Sequence, residues 1–261
     1  MVERQSFHKI PFSPNRQMVA ASSAASRRYN TIHSLLEIDV TEPRRLIRIY
    51  EEQTSRDLSF TGYLVRCLAE TIKDFPEFNA FRKGKSLILL DDLTISVLVE
   101  RELQGDQVPE PVGIQKAQEK DLLQIQQEIR AAQSNPGDQL GDLSGMSWIR
   151  FLPTWLLGAF VRLASRNITL AGRYGKVAVT AVGMFSAPRN WLIPLSSATV
   201  LLTVGGIHKA PVLMDGQLSE AEYLQATLSF DHDLIDGAPA ARFGNRFSGI
   251  VSSGELLKMD F

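Results

Sequence analysis

Cysteine is almost absent from this sequence. A single residue, Cys67, leaves nothing for an intramolecular disulfide or a cysteine metal cage, so a reducing compartment and a protein without bound metal are expected. Excess charge is absent too. The 28 basic residues balance 29 acidic ones to a net charge of −1, which gives no electrostatic reason for a nucleic acid partner. Residues 1–14 hold no apolar run of the kind a secretory signal needs, and a cytoplasmic protein is expected. Nor is there an uninterrupted span of roughly 20 apolar residues, the length needed to cross a bilayer. The most hydrophobic stretch, Trp148 to Leu163, is broken by Arg150, Pro153 and Arg162. No internal repeat or low-complexity tract is found.

What is present is enough apolar material, 44% of 261 residues, for one large domain with a sizeable core. Helical spacing is read over Arg16 to Arg28, from Thr41 to Glu52 with Thr41 as N-cap and Pro43 in the first turn, and over Ser59 to Phe75, which ends before Pro76. In the last of these Cys67 fits the apolar stripe and reads as core. Helical spacing returns over Lys116 to Gln133 and from about Ala238 to Ser252. Extended runs are read at Thr31 to Val40, Lys176 to Val182, Ala198 to Ile207 and Glu222 to Phe230. Ser86 to Leu90 and Leu93 to Glu100 read as a hairpin turning at Asp91-Asp92. Helices interleaved with short strands predict an α/β two-layer arrangement, a sheet covered by helices. The stretch Trp148 to Leu163, within a hydrophobic insert at about 146–170, is expected to be a buried helix, a lid or a subunit contact; an amphipathic helix on a membrane is the rival reading.

Of the four histidines, His8 lies near the terminus, His33 in an extended run and His208 just after one. His232 differs, because it sits between a strand ending at Phe230 and a helix beginning near Ala238. A strand-to-helix turn can hold an imidazole at a cleft while both elements stay fixed. Asp236 and Gly237 follow, the glycine allowing a backbone conformation or close approach that a side chain would block.

The run Leu228-Ser229-Phe230-Asp231-His232-Asp233-Leu234-Ile235-Asp236-Gly237 resembles the His-x-x-x-Asp-Gly signature of the superfamily that comprises chloramphenicol acetyltransferase and the catalytic domain of the dihydrolipoyl acyltransferases of 2-oxo acid dehydrogenase complexes. It is similar above all to the latter and to their stand-alone relatives. Asn15-Arg16-Gln17-Met18, Thr31 to Thr41, Leu58 to Ala80 and Val177 to Phe185 extend the resemblance over most of the chain.

The resemblance implies a chloramphenicol acetyltransferase-like two-layer α/β sandwich with a mixed sheet, assembled as a homotrimer or a higher multiple of trimers. It implies an acyltransferase using coenzyme A or acyl-coenzyme A as substrate, with a thiol, hydroxyl or amine acceptor. His232 is the implied general base, and Thr180, where relatives often carry Ser, the implied oxyanion donor from the neighbouring subunit. Asp236 is implied to hold the histidine turn by pairing with Arg16, with Gly237 in a backbone role. His33 also matches a position often His in the family, and is read as a core-edge residue. Three features set the chain apart. Asp233 stands where the dehydrogenase-complex enzymes usually have Arg, reversing the charge beside the base. No lipoyl or subunit-binding domain is expected, so a lipoyl group would come from a separate carrier protein. The Trp148 to Leu163 stretch resembles the stand-alone group. A catalytically silent trimeric scaffold and a membrane-associated binding module are the alternatives to an enzyme.

Overall fold

The computed structural model describes residues 7–103, 106–134, 167–183, 187–214 and 216–259. The chain opens with α1 (Pro14–Ser26), where Ser13 caps by accepting the Arg16 amide and proline occupies the first turn. Strand β1 (Thr31–Asp39) leads into α2 (Thr41–Thr54) and α3 (Phe60–Asp74). The expected N-cap role of Thr41 is not found: its hydroxyl is engaged by Asp39 Oδ1 at 2.6 Å and by the Glu222 amide at 2.9 Å, so α2 starts without a side-chain cap. Helix α3 is capped by Ser59 and stops at Phe75, before Pro76. Cys67 is fully buried in it.

The expected hairpin about Asp91-Asp92 is also corrected. Strand β3 (Ser86–Leu89) pairs back onto β2 (Ala80–Lys83), because Gly84, at φ +64°, makes the tight turn between them. Strand β4 (Ile95–Leu103) instead pairs with β5 (Asp106–Ile114). Strand β5, absent from the expected elements, carries Pro109 and Pro111. Proline is tolerated at a sheet edge, and β5 is an edge strand. The helix expected from Lys116 shortens to α4 (Leu122–Ser134), since Lys116 is left-handed at φ +50° and the Gln124 amide is accepted by the Asp121 carboxylate at 2.7 Å. The hydrophobic stretch Trp148 to Leu163 lies outside the described residues.

Helix α5 (Ile168–Tyr174), not foreseen, precedes β6 (Val177–Ala181). Strands β7 (Val200–Met214) and β8 (Gln217–Asp231) form a hairpin longer than expected, closed at Gly216 with φ +78°. Helix α6 (Gly237–Ser253) and the short α7 (Glu255–Met259) complete the chain.

Six strands make one mixed sheet in the order β1-β8-β7-β6-β4-β5, with β7, β6 and β4 mutually parallel and the other neighbours antiparallel. Alternate residues of the central strands, including Val200, Leu202, Leu224, Ala226, Leu228 and Phe230, join the buried face of α3, α4 and α6 in one hydrophobic core. This is the two-layer α/β arrangement expected. On the second face the loop after β6 crosses β7 closely, and a Cβ on Gly206 would lie 2.3 Å from the Ala187 carbonyl oxygen. No helix among the described residues is long and apolar enough to cross a membrane.

Candidate active site

The site is built at the end of β8, where an aromatic cluster anchors the strand. Phe230 is fully buried against Phe243 (ring centroids 5.6 Å apart, nearly perpendicular), and Phe243 stacks on Phe78 at 5.1 Å. Two residues beyond Phe230 the chain leaves the sheet in a tight turn, with the Leu234 and Ile235 amides both donating to the Asp231 carbonyl at 3.0 Å. The β1 ladder runs one rung past its last strand pair, since the His232 amide donates to the Asn30 carbonyl at 2.6 Å.

Within this turn His232 Nδ1 lies 3.1 Å from the Ile235 carbonyl oxygen. A carbonyl only accepts, so this bond requires the proton on Nδ1 and leaves the Nε2 lone pair available. The imidazole is 43% exposed, open to a reactant while its ring is held. Asp236 Oδ1 lies 3.7 Å from His232 Nδ1, and this carboxylate is 87% exposed. The expected pairing of Asp236 with Arg16 does not occur within the chain. Arg16 sits on α1, which packs against β5, four strands from β8. Gly237 opens α6 with unstrained φ, and a Cβ there would meet nothing within 4 Å, so contacts within the chain do not require a glycine.

Thr180 is half-buried on β6. Strand register places it beside Thr203 of β7 and, through that residue, Thr227 of β8, giving a row of three hydroxyls on the second face. Thr203 and Thr227 are almost fully buried, and their hydroxyls have no partner among the described residues. Neither was singled out from the sequence, where a threonine in a strand is ordinary. Thr180 alone of the three is accessible. His232 follows Thr227 by five residues along β8 and lies two strands from β6, which puts it on the order of 20 Å from Thr180 in the same chain at ~3.3 Å per residue and ~4.8 Å per strand. No reacting carbonyl can meet both groups of one chain.

Two charged groups beside the turn escaped the sequence reading. Lys176, just before β6, is buried with its ammonium 5.0 Å from the Phe81 ring centre. Burial pushes its pKa down to about 8, against a smaller opposing pull from Asp231. Burial likewise raises the Asp231 carboxyl above its ordinary range. Asp233, expected to reverse the charge beside the base, is itself neutralised: Oδ2 accepts from Arg82 Nη1 at 3.1 Å and Oδ1 from Asn30 Nδ2 at 2.8 Å. His33 turns to the second face, with Nδ1 2.9 Å from Ser229 Oγ and its pKa lowered by burial.

A two-layer α/β protein with an imidazole of fixed tautomer on the turn after a central strand is the class that this fold and site define. The profile of the family described as 2-oxoacid dehydrogenases acyltransferase (catalytic domain) matches residues 4–139 and 171–259, and the chain belongs to that family. Among curated relatives, the lipoamide acyltransferase component of the branched-chain alpha-keto acid dehydrogenase complex of Bacillus subtilis is 26% identical over 254 residues, 94% of this chain and 52% of that protein. The dihydrolipoyllysine-residue acetyltransferase component of the pyruvate dehydrogenase complex of Staphylococcus aureus is 23% identical over 256 residues, 95% of this chain and 52% of that protein. The chain thus spans about half the length of these relatives. Among solved structures, the cubic core of the pyruvate dehydrogenase multienzyme complex superposes with a TM-score of 0.69 at 18% identity, covering 98% of this chain and 96% of that one. The dihydrolipoamide acetyltransferase of Azotobacter vinelandii gives 0.68 at 19% identity, covering 98% and 96%. At such identity these likenesses speak for the fold.

Proposed function

We propose that this chain catalyses coenzyme A-dependent acyl transfer, with His232 as general base and Thr180 of a neighbouring subunit as oxyanion donor. The observation that carries the reading is the Nδ1 bond to the Ile235 carbonyl, which leaves Nε2 as an exposed acceptor. In the forward step Nε2 takes the proton of an acceptor thiol, and the thiolate attacks the thioester carbonyl of acyl-coenzyme A. The oxyanion of the tetrahedral intermediate accepts the Thr180 hydroxyl. Collapse then expels the coenzyme A thiolate, which recovers the proton from the imidazolium. The separation of Thr180 from His232 within one chain supports a site shared between subunits of a closed oligomer, and the likeness to the cubic core favours a trimer or a multiple of trimers.

Membership of the acyltransferase family supports a dihydrolipoyl thiol as acceptor, with a small hydroxyl or amine acceptor as the second choice. The test is release of coenzyme A from short-chain acyl-coenzyme A in the presence of dihydrolipoamide, followed by chromatography. Wild-type protein is expected to turn over. His232→Ala should lose roughly 10²- to 10⁴-fold in kcat with its assembly intact. Near-normal turnover by a folded His232→Ala protein refutes the role of the base, and an inert wild type across thiol, hydroxyl and amine acceptors favours the silent scaffold.

A further inference from the structure

The carboxylate next to the proposed base is held by side chains from two segments distant in sequence. Asp233 follows His232 directly. Its Oδ1 accepts from the Asn30 side chain, at the entry to β1, and its Oδ2 from Arg82, on β2. Asn30 engages the turn twice, because its carbonyl also receives the His232 amide. Arg82 is steadied in turn by an Nε bond to the Gly84 carbonyl at 3.1 Å. The β2–β3 hairpin lies outside the six-stranded sheet, yet it is fastened to the sheet beside this turn. The Thr199 hydroxyl donates to the Ala80 carbonyl, and the Asp231 amide donates to the Thr199 carbonyl at 3.0 Å. Lys176 over the Phe81 ring makes a second fastening.

The Asp233–Arg82 pair is too exposed to be explained by stability. The side chains are 37% and 60% accessible, a setting in which ion pairs add little to folding. Direction is what such a pair can supply. Asp233 lies between the imidazole-bearing residue and Ile235, the residue whose carbonyl fixes the imidazole tautomer. Any rotation of the Asp233 backbone therefore changes both ends of the Nδ1 bond.

We infer that Asp233 is a positioning residue for His232, clamped by Asn30 and Arg82 so that the turn presents Nε2 in one orientation. The inference rests on the acyl-transfer reading for its kinetic consequence but not for its structural one. It also accounts for an acid at a place where a base would leave Arg82 facing a like charge.

The test is a charge swap with two readouts, kcat against KM for acyl-coenzyme A and the ¹⁵N shifts of the His232 ring in selectively labelled protein. Arg82→Asp and Asp233→Arg are each expected to lower kcat roughly tenfold or more, because small misplacements of a reacting group are costly, while KM changes less than about twofold. In both, the His232 ring should move from the Nδ1-protonated tautomer toward a mixture. The double variant restores a pair of opposite charges, and Asn30 can turn its amide oxygen toward the new arginine. It should regain kcat to within about threefold of wild type, together with the original tautomer. Arg82→Ala, made at an exposed position, serves as the single variant should a swapped one fail to fold. Unchanged kcat and ring shifts in the folded single variants overturn the clamp, as does a double variant no better than either single, or a loss confined to KM. If the wild type transfers no acyl group, ring shifts that change in the singles and revert in the double uphold the clamp and remove only its catalytic purpose.

Discussion

Mixing subunits that carry His232→Ala with subunits that carry Thr180→Ala measures how the site is divided. Under the proposed mechanism each variant alone is crippled: the first would lack the base, at a cost of roughly 10²- to 10⁴-fold, and the second the oxyanion donor, at roughly 10²- to 10³-fold. Strand register separates the two groups of one chain by on the order of 20 Å, so the proposed site would take its imidazole from one subunit and its hydroxyl from the next. In a closed ring assembled at random from equal amounts, about one site in four receives both intact groups, whatever the number of subunits. Co-refolded mixtures should therefore show about one quarter of the wild-type rate of coenzyme A release, far above either parent. Intact-mass analysis fixes the mixing ratio, and wild-type protein taken through the same refolding sets the scale. If the mixture is no faster than the mean of its parents while refolded wild type is fully active, the division of the site between chains is wrong.

Two further outcomes follow from the burial of particular side chains. Lys176, with a folded-state pKa of about 8 against an ordinary value of 10.5, binds its proton more weakly in the native than in the unfolded chain. The native state is penalised below about pH 8 and gains stability as the pH rises toward 10.5, by up to about 3 kcal/mol. Subtracting the urea stability of Lys176→Met from that of wild type at each pH should isolate this rise, and a flat difference between pH 8 and 10.5 refutes it. Phe243→Ala removes ring contacts with Phe75, Phe78 and Phe230 and should cost about 3 to 5 kcal/mol at matched protein concentration. A loss below about 1 kcal/mol would mean that the cluster does not anchor the end of β8.

The parts of the site that lie within one short run of sequence could be read from it. His232 and its turn fall between a strand and a helix whose periodicities are plain, and the structure keeps both. What long-range contact determines could not be read. Asp233 meets Asn30 and Arg82, which lie 203 and 151 residues away, and no local pattern signals either. Asp236 was assigned to Arg16 through resemblance, but α1 packs at the other side of the sheet. The hydroxyl row through Thr203 and Thr227 emerges only when register is known. Among the elements, β5, which carries Pro109 and Pro111, was not expected. Asp91-Asp92 is a turn signal that does not say which strands pair, and β3 folds back across Gly84 onto β2 instead.

Those prolines have a consequence of their own. A strand at the rim of a sheet invites another chain to continue the ladder, and for a chain proposed to form a closed oligomer that invitation is a route to the wrong polymer. Pro109 and Pro111 stand two residues apart on β5, so the amide hydrogens missing from it fall on one side of the strand. At that rim an incoming strand would find two gaps in succession where acceptors expect donors. Two such gaps would disfavour end-to-end stacking of copies through β5.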